Sequence, residues 1–109
     1  MSTPEGKVKT FISNYMKKNF PDAFKYCPPS GRFGRAGLPD FIYLIDGVFV
    51  GIEAKADNGY VTDLQLNTLN RLKTCGAVVA IVRGKDVQKM ESIRDEILRR
   101  IRLADEGQE

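Results

Sequence analysis

Residues 41–55 read FIYLIDGVFVGIEAK, which is two apolar runs joined by the dipeptide Asp46-Gly47. An Asp-Gly pair between runs of β-branched and aromatic residues predicts a hairpin with a type I′ turn. Such a two-residue turn sets the register, with Ile45 opposite Val48. Both faces of both strands are apolar, so we expect helices to cover the hairpin on both sides.

A helix and a long loop are predicted before this hairpin. Apolar residues from Val8 to Met16 recur at helical spacing and predict a first helix over roughly 4–19, with Ser2 as its N-cap. Residues 21–39 contain four prolines and three glycines. They predict a long loop with, at most, some extended structure.

Two helices and a strand are predicted after the hairpin. Thr62 and Gln65 form a capping-box pattern that opens a second helix, which Gly76 closes. Residues 77–82 predict a buried strand, and a last helix begins near Asp86. The apolar residues of this helix are expected to face inward: Val87, Met90, Ile93, Ile97, Leu98 and Ile101.

The predicted elements follow one another in the order α-β-β-α-β-α. This order is typical of a three-layer α/β domain, and the length of the chain fits a single domain over residues 1–109. The acidic tail at about 104–109 is expected to be disordered.

The composition excludes several kinds of chemistry. The chain contains no histidine, which rules out Ser-His-Asp and Cys-His triads, histidine-metal nucleases and Cys₂His₂ zinc sites. Cys27 and Cys75 are too few for a disulfide framework. No apolar run suggests a secretory signal or a membrane span, so we expect an intracellular protein of the cytoplasm. The net charge of +3 is a mild indication of an anionic partner.

Three ionisable residues meet at the open end of the predicted hairpin. The register places Asp40 directly opposite Glu53, with Cβ atoms about 5 Å apart, and Lys55 projects from the same face. Two facing carboxylates destabilise a sheet unless a shared proton, a bridging lysine or a divalent cation offsets their repulsion. Carboxylates suit Mg²⁺ or Mn²⁺, and Lys55 could orient a water or stabilise charge on phosphorus. The alternative is a purely structural salt-bridge cluster.

The spacing of these residues resembles a known nuclease signature. Residues 37–40 read Gly-Leu-Pro-Asp, and residues 53–55 read Glu-Ala-Lys. With the intervening hairpin and Gln65 in the following helix, they resemble the PD-(D/E)XK nuclease superfamily. Within it they are similar to the VRR-type nuclease (VRR-NUC) domain of virus and phage proteins and of Fanconi-associated nucleases. The resemblance implies a restriction-endonuclease-like fold with a central mixed sheet.

The resemblance also implies a role for individual residues. Asp40, Glu53 and the backbone carbonyl of Ala54 match the metal ligands of the family, with Mg²⁺ or Mn²⁺ as cofactor. Lys55 matches the catalytic lysine of the motif, and Gln65 matches a glutamine of the active site.

Glu5 and Gln65 each have an alternative reading. Glu5 matches an acidic metal-site residue of the family, and the alternative is that it is only the capping-box partner of Ser2. Gln65 could be only the capping-box partner of Thr62. Both nevertheless share a helix face with apolar residues that are expected to point inward.

The long loop carries candidate DNA-binding residues. Arg32 and Arg35 could grip phosphates, and Phe33 could stack on an exposed base. The alternative is a solvated loop without a binding role.

The resemblance further implies an activity and an assembly. It points to a metal-dependent endonuclease that hydrolyses phosphodiester bonds in branched DNA, such as four-way (Holliday) junctions. A homodimer would supply two sites for the two incisions that a junction requires. No membrane and no small-molecule cofactor are implied, and a viral member would act in the host cytoplasm. The alternatives are a non-catalytic, structure-specific DNA-binding module and a nuclease for flaps or linear DNA.

Overall fold

The computed structural model of the chain describes residues 3–29 and 36–107. Helices and strands follow one another as α1 (Pro4–Asn19), β1 (Phe24–Tyr26), β2 (Phe41–Ile45), β3 (Val48–Lys55), α2 (Asp63–Thr74), β4 (Val78–Arg83) and α3 (Val87–Glu106). The strands form a sheet in the order β1-β2-β3-β4. Neighbours are antiparallel except for the parallel pair β3 and β4, so the sheet is mixed, as predicted.

The hairpin of β2 and β3 has the predicted register. Ile45 pairs with Val48, and the ladder continues to the pair Phe41 and Ile52. Asp46 and Gly47 have φ angles of 47° and 84°, and a positive φ at both central residues is the mark of a type I′ turn. The turn chemistry therefore determines which residues reach the open end of the hairpin.

Helices α1 and α3 cover one face of the sheet. Ile12 of α1 and Ile97 of α3 are fully buried in one core with Val50 and Ile52 of β3. Each such side chain contributes about 1.5–3 kcal/mol by leaving water. Gly51 points to the opposite face, toward α2. The domain is therefore built of three layers.

Strand β1 is absent from the sequence prediction, which had a loop there. Its residues are all exposed, and Phe24 pairs with Leu44 while Tyr26 pairs with Ile42. A three-residue edge strand is too short to show alternating burial. Its position depends instead on backbone pairing with β2. The order along the chain is therefore α-β-β-β-α-β-α.

The expectation that helices cover both faces of the hairpin is partly wrong. Helix α2 packs mainly against β4, and it leaves Leu44 of β2 48% exposed. In α3, Met90, Ile93 and Ile97 are buried as expected. Val87 and Leu98, by contrast, are 50% and 49% exposed, because the contacting face of α3 is narrower than its apolar face.

The last helix is longer than predicted. Residues 104–106 were expected to be disordered, but α3 continues to Glu106. Two local contacts support this last turn: Arg102 pairs with Glu106 at 3.8 Å, and Gly107 N donates to Leu103 O at 3.0 Å. Across the described parts of the chain, no helix is both long enough and apolar enough to cross a lipid bilayer.

Candidate active site

The open end of the hairpin brings Asp40 and Glu53 together. Asp40 lies one residue before β2, outside the ladder, but two reciprocal hydrogen bonds hold it opposite Glu53. Asp40 N donates to Glu53 Oε1 at 3.2 Å, and Ala54 N donates to Asp40 Oδ2 at 2.8 Å. The predicted pairing of the two carboxylates is therefore confirmed, with backbone amides rather than ladder bonds as the link.

Pro39 sets the approach of the chain to Asp40. Its ring is fully buried, and it packs over Gly51 of β3, where an added Cβ atom would lie 3.3 Å from Pro39 Cγ. Such a distance is tighter than ordinary van der Waals contact. The absence of a side chain at Gly51 thus lets the segment before β2 lie close against the hairpin.

Glu53 is a buried carboxylate, only 2% exposed. Its Oε2 lies 3.1 Å from Lys55 Nζ and accepts a hydrogen bond of 2.6 Å from Gln65 Nε2. Burial and the neighbouring charge of Asp40 raise the pKa of Glu53 to about 7, although Lys55 acts in the opposite direction. Proton binding at this carboxylate is therefore finely balanced near neutral pH.

Gln65 both caps α2 and contacts Glu53. Its Oε1 accepts from Thr62 N at 3.0 Å, and Thr62 Oγ1 accepts from Gln65 N at 3.1 Å, which completes the capping box of α2. The Nε2 of the same amide is thereby directed at Glu53. The oxygen of the Gln65 amide therefore makes the capping contact, and its nitrogen makes the contact with Glu53.

Glu5 lies at the edge of the site. The N-cap of α1 is Thr3, whose Oγ1 accepts from Gly6 N at 2.9 Å. Ser2 itself lies outside the described residues. Glu5 Oε1 is 4.0 Å from Lys55 Nζ.

Lys9 belongs to the site and was missed by the sequence analysis. Its Nζ lies 3.5 Å from Asp40 Oδ1 and 3.9 Å from Glu5 Oε2. The spacing of four residues from Glu5 on one helix was the available signal. Lys9 therefore adds a second cation to the site, and the carboxylate of Glu5 contacts both Lys9 and Lys55.

These residues line an open cleft of about 320 Å³. Cys27 and Pro28, which follow β1, form part of its wall. The candidate DNA-binding residues Arg32, Phe33 and Arg35 lie outside the described residues.

The carboxylates do not form a three-member cluster. Within residues 3–29 and 36–107, no group of three or more His, Cys, Asp or Glu side chains could hold a metal ion. Glu5 contacts lysines rather than Asp40 or Glu53, which leaves a pair of carboxylates at the centre. A metal role for Glu5 and for the carbonyl of Ala54 stays a prediction.

Comparison with solved structures agrees with this architecture. A structure described as "VRR_NUC domain" superposes with a TM-score of 0.63 and 22% sequence identity, over 86% of this chain and 97% of that chain. The chain has the fold of a VRR_NUC domain. In this chain, Glu53 and Lys55 lie on β3 and Asp40 directly precedes β2. No protein-family model and no curated protein matches the sequence.

Proposed function

We propose that this protein is a divalent-cation-dependent nuclease that hydrolyses phosphodiester bonds in DNA. The observation that carries the proposal is the contact of Glu53 with Asp40, Lys55 and Gln65 in one cleft of a VRR_NUC fold. A structural salt bridge needs only one cation and one carboxylate. A second carboxylate, Asp40, is held beside the buried Glu53 by the backbone amide of Ala54, which raises the cost of the cluster and favours a chemical role.

The donor set suits Mg²⁺ or Mn²⁺. Asp40 and Glu53 offer hard oxygen ligands, and Mg²⁺ commonly uses one or two carboxylates and completes its shell with water. Burial and mutual repulsion already raise the pKa of Glu53, a cost that a bound cation would offset. The cation, when bound, would supply Lewis acidity toward the phosphodiester.

The remaining side chains have distinct roles in this proposal. Lys55 is 8% exposed and contacts Glu53, so its ammonium group is positioned to orient a water or to stabilise charge on a phosphate oxygen. Gln65 holds Glu53 in place and so acts as a positioning residue. Lys9 adds positive charge beside Asp40, where a DNA phosphate would enter the cleft.

A cleavage assay tests the nuclease proposal. Purified protein is incubated with labelled four-way junction, flap, fork and linear duplex DNA, with Mg²⁺, with Mn²⁺ or with EDTA. We expect cleavage only with a cation, and a loss of at least about 100-fold in Glu53→Gln and Lys55→Met. Glu91→Gln and Lys73→Met alter exposed residues elsewhere and should cut like wild type.

The same assay separates the alternatives. A wild-type protein that binds junction DNA but cuts nothing would be a non-catalytic DNA-binding module. Equal cleavage by Glu53→Gln and wild type would make the cluster structural. We propose branched DNA, and four-way junctions in particular, as the preferred substrate; faster cutting of flaps or linear duplex would contradict this.

We further propose that the nuclease is a homodimer that pairs through the sheet edge at β1. Phe24 and Leu44 are neighbours across β1 and β2, and they are 67% and 48% exposed. Adjacent exposed apolar side chains on an edge strand favour association with a second copy. Two symmetry-related sites would suit the two incisions that a four-way junction requires.

Sedimentation velocity at micromolar concentration tests the dimer. We expect wild type to sediment as a dimer and the double variant Phe24→Ser with Leu44→Ser to sediment as a monomer. The control double variant Tyr60→Ser with Leu103→Ser removes two other exposed apolar side chains and should remain dimeric. A monomeric wild type would exclude the dimer.

A further inference from the structure

A groove of about 430 Å³ lies along α1, beside the candidate active site. Its lining includes Lys7, Lys18 and Lys85, which are exposed, and the aromatic residues Phe11 and Tyr15, which pack against the core. We refer to this groove, with these five residues in its lining, as the α1 groove. A cationic rim around an aromatic surface is the combination that nucleic-acid backbones and bases contact.

The lysines of the α1 groove are spaced along one side of a helix. Lys7 and Lys18 are eleven residues apart, which is about three turns, so they lie on the same side and about 16 Å apart along the axis. One strand of B-form DNA advances about 3.4 Å per phosphate. The two lysines therefore span about five phosphates of one strand.

The positive charge of the α1 groove is not neutralised by protein carboxylates. In the described part of the chain, none of the three lysines forms an ion pair, and no acidic residue lines the groove. The arginines of α3 differ, because Arg99 and Arg100 both pair with Glu96. The α1 groove is thus a better anion site than the more arginine-rich helix.

The α1 groove adjoins the candidate active site through the backbone. Lys85 follows Gly84, whose N–H donates to Lys55 O at 2.9 Å. Tyr15 contributes its ring to the wall of the groove, while its Oη is buried and therefore closed to a phosphate.

We propose that the α1 groove binds the phosphate backbone of the DNA arm that leaves the active site. Lys7, Lys18 and Lys85 contact phosphates within a stretch of about five on one strand. The inference rests on the proposed function for the identity of the anion, and it adds the surface along which the substrate lies. It implies that part of the DNA affinity is independent of Asp40 and Glu53.

Salt-dependent binding tests the α1 groove. A labelled four-way junction and a linear duplex are titrated in EDTA, which prevents cleavage, at salt concentrations between about 50 and 200 mM. The groove variant combines Lys7→Gln, Lys18→Gln and Lys85→Gln. The control variant combines Arg71→Gln, Lys73→Gln and Arg102→Gln, three exposed residues near the C-terminal ends of α2 and α3.

Both triple variants lower the net charge from +3 by three, to zero, so the loss of net charge is matched. For the groove variant we expect affinity to fall at least about tenfold and the salt slope to fall by about 0.9 for each lysine that contacts a phosphate. The control variant should keep the wild-type slope. Equal losses in the two triple variants would overturn the proposal.

Loss of binding to phosphatidylserine vesicles by the groove variant, with DNA binding intact, would identify a membrane surface as the partner and overturn the DNA assignment.

Cleavage by the same preparations separates this inference from the proposed function. If wild type cuts DNA and the groove variant binds DNA with the same salt slope as the control variant, the α1 groove proposal is wrong and the nuclease proposal stands. If the groove variant loses affinity and slope while wild type cuts nothing, the groove binds DNA and the nuclease proposal is wrong.

Discussion

Gln65 Nε2 donates a hydrogen bond of 2.6 Å to Glu53 Oε2, while the Oε1 of the same amide closes the capping box of α2. The two ends of the amide cannot exchange, because Thr62 N needs an acceptor and Glu53 needs a donor. A local helix-capping motif thus orients a side chain across the candidate active site.

Gln65→Glu separates these two functions of the side chain. A glutamate at this position can still accept from Thr62 N, so we expect the capping box to persist. Its second oxygen would face Glu53 and repel it, and cleavage should fall by about 10- to 100-fold, as for other residues that hold an active-site ligand. Cleavage rates and thermal unfolding are measured for both proteins. Gln88→Glu makes the same change on the exposed first turn of α3 and should leave cleavage unaltered.

Glu53 should make stability depend on pH. Its ordinary pKa of 4.5 applies to the unfolded chain, and burial beside Asp40 raises the pKa to about 7 in the folded protein. Between these values the folded state binds more protons than the unfolded state, so the free energy of unfolding falls as pH rises from about 4.5 to 7. The variant Glu53→Gln lacks this pH-dependent loss of stability. Its stability relative to wild type should improve by on the order of 3 kcal/mol between about pH 4 and pH 8.

Urea unfolding of wild type and Glu53→Gln at the two pH values measures this difference. A difference in the free energy of unfolding that is the same at both pH values would reflect packing. It cancels when the difference between the two proteins at one pH is subtracted from that at the other. The exposed control Glu91→Gln should show a much smaller change with pH. A relative stability of Glu53→Gln that stays flat or declines as pH rises would contradict the raised pKa.

The inner part of the site could be predicted because turn chemistry and strand periodicity are local. Asp46-Gly47 determines the hairpin register, and the register places Asp40 beside Glu53 with Lys55 two residues further on. The capping pattern of Thr62 and Gln65 was equally readable. The turn and the capping box are each local, and the hairpin register that the turn determines then brings together Asp40 and Glu53, thirteen positions apart.

The remaining features depend on tertiary contacts that periodicity does not report. Strand β1 forms on the edge that β2 offers, and the exposure of Leu44 follows from where α2 packs. Lys9 joins Asp40 because the first turns of α1 lie over the end of the hairpin, a placement that no sequence spacing encodes. The sequence analysis took Ser2 as the N-cap of α1, whereas Thr3 caps the helix; serine and threonine are both favoured at this position.

Thr3 and Glu5 can now be separated by mutation. Thr3→Ala removes the N-cap of α1 and should cost about 1 kcal/mol of stability without a change in cleavage rate. Glu5→Gln keeps the cap but removes a charge 4.0 Å from Lys55, so it should alter cleavage several-fold with little effect on stability. Thermal unfolding and cleavage rates are compared for both variants. The opposite pattern, with Glu5 needed for stability alone, would return Glu5 to a structural role.

Gly37→Ala and Gly47→Ala form a matched pair of variants that tests the chain segment leading to Asp40. The φ angles of Gly37 and Gly47 are +86° and +84°, so an alanine at either position carries a similar backbone cost of about 1–2 kcal/mol. Their surroundings differ. A Cβ atom at Gly37 would lie 2.7 Å from Leu64 Cγ of α2, whereas nothing lies within 4 Å of one at Gly47. Any additional loss of stability in Gly37→Ala therefore measures how tightly the segment before Asp40 packs on α2.

Because Asp40 follows Gly37 by three residues, the two alanine variants should also differ in activity. We expect Gly37→Ala to lose at least about 1 kcal/mol more stability than Gly47→Ala, since overpacking typically costs 1–3 kcal/mol. We also expect it to cut DNA more slowly at a temperature where both proteins are folded. Gly47→Ala, at the far end of the hairpin from Asp40, should cut at the wild-type rate. Equal stabilities and equal rates would mean that Leu64 moves aside freely, and that the contact between this segment and α2 does not position Asp40.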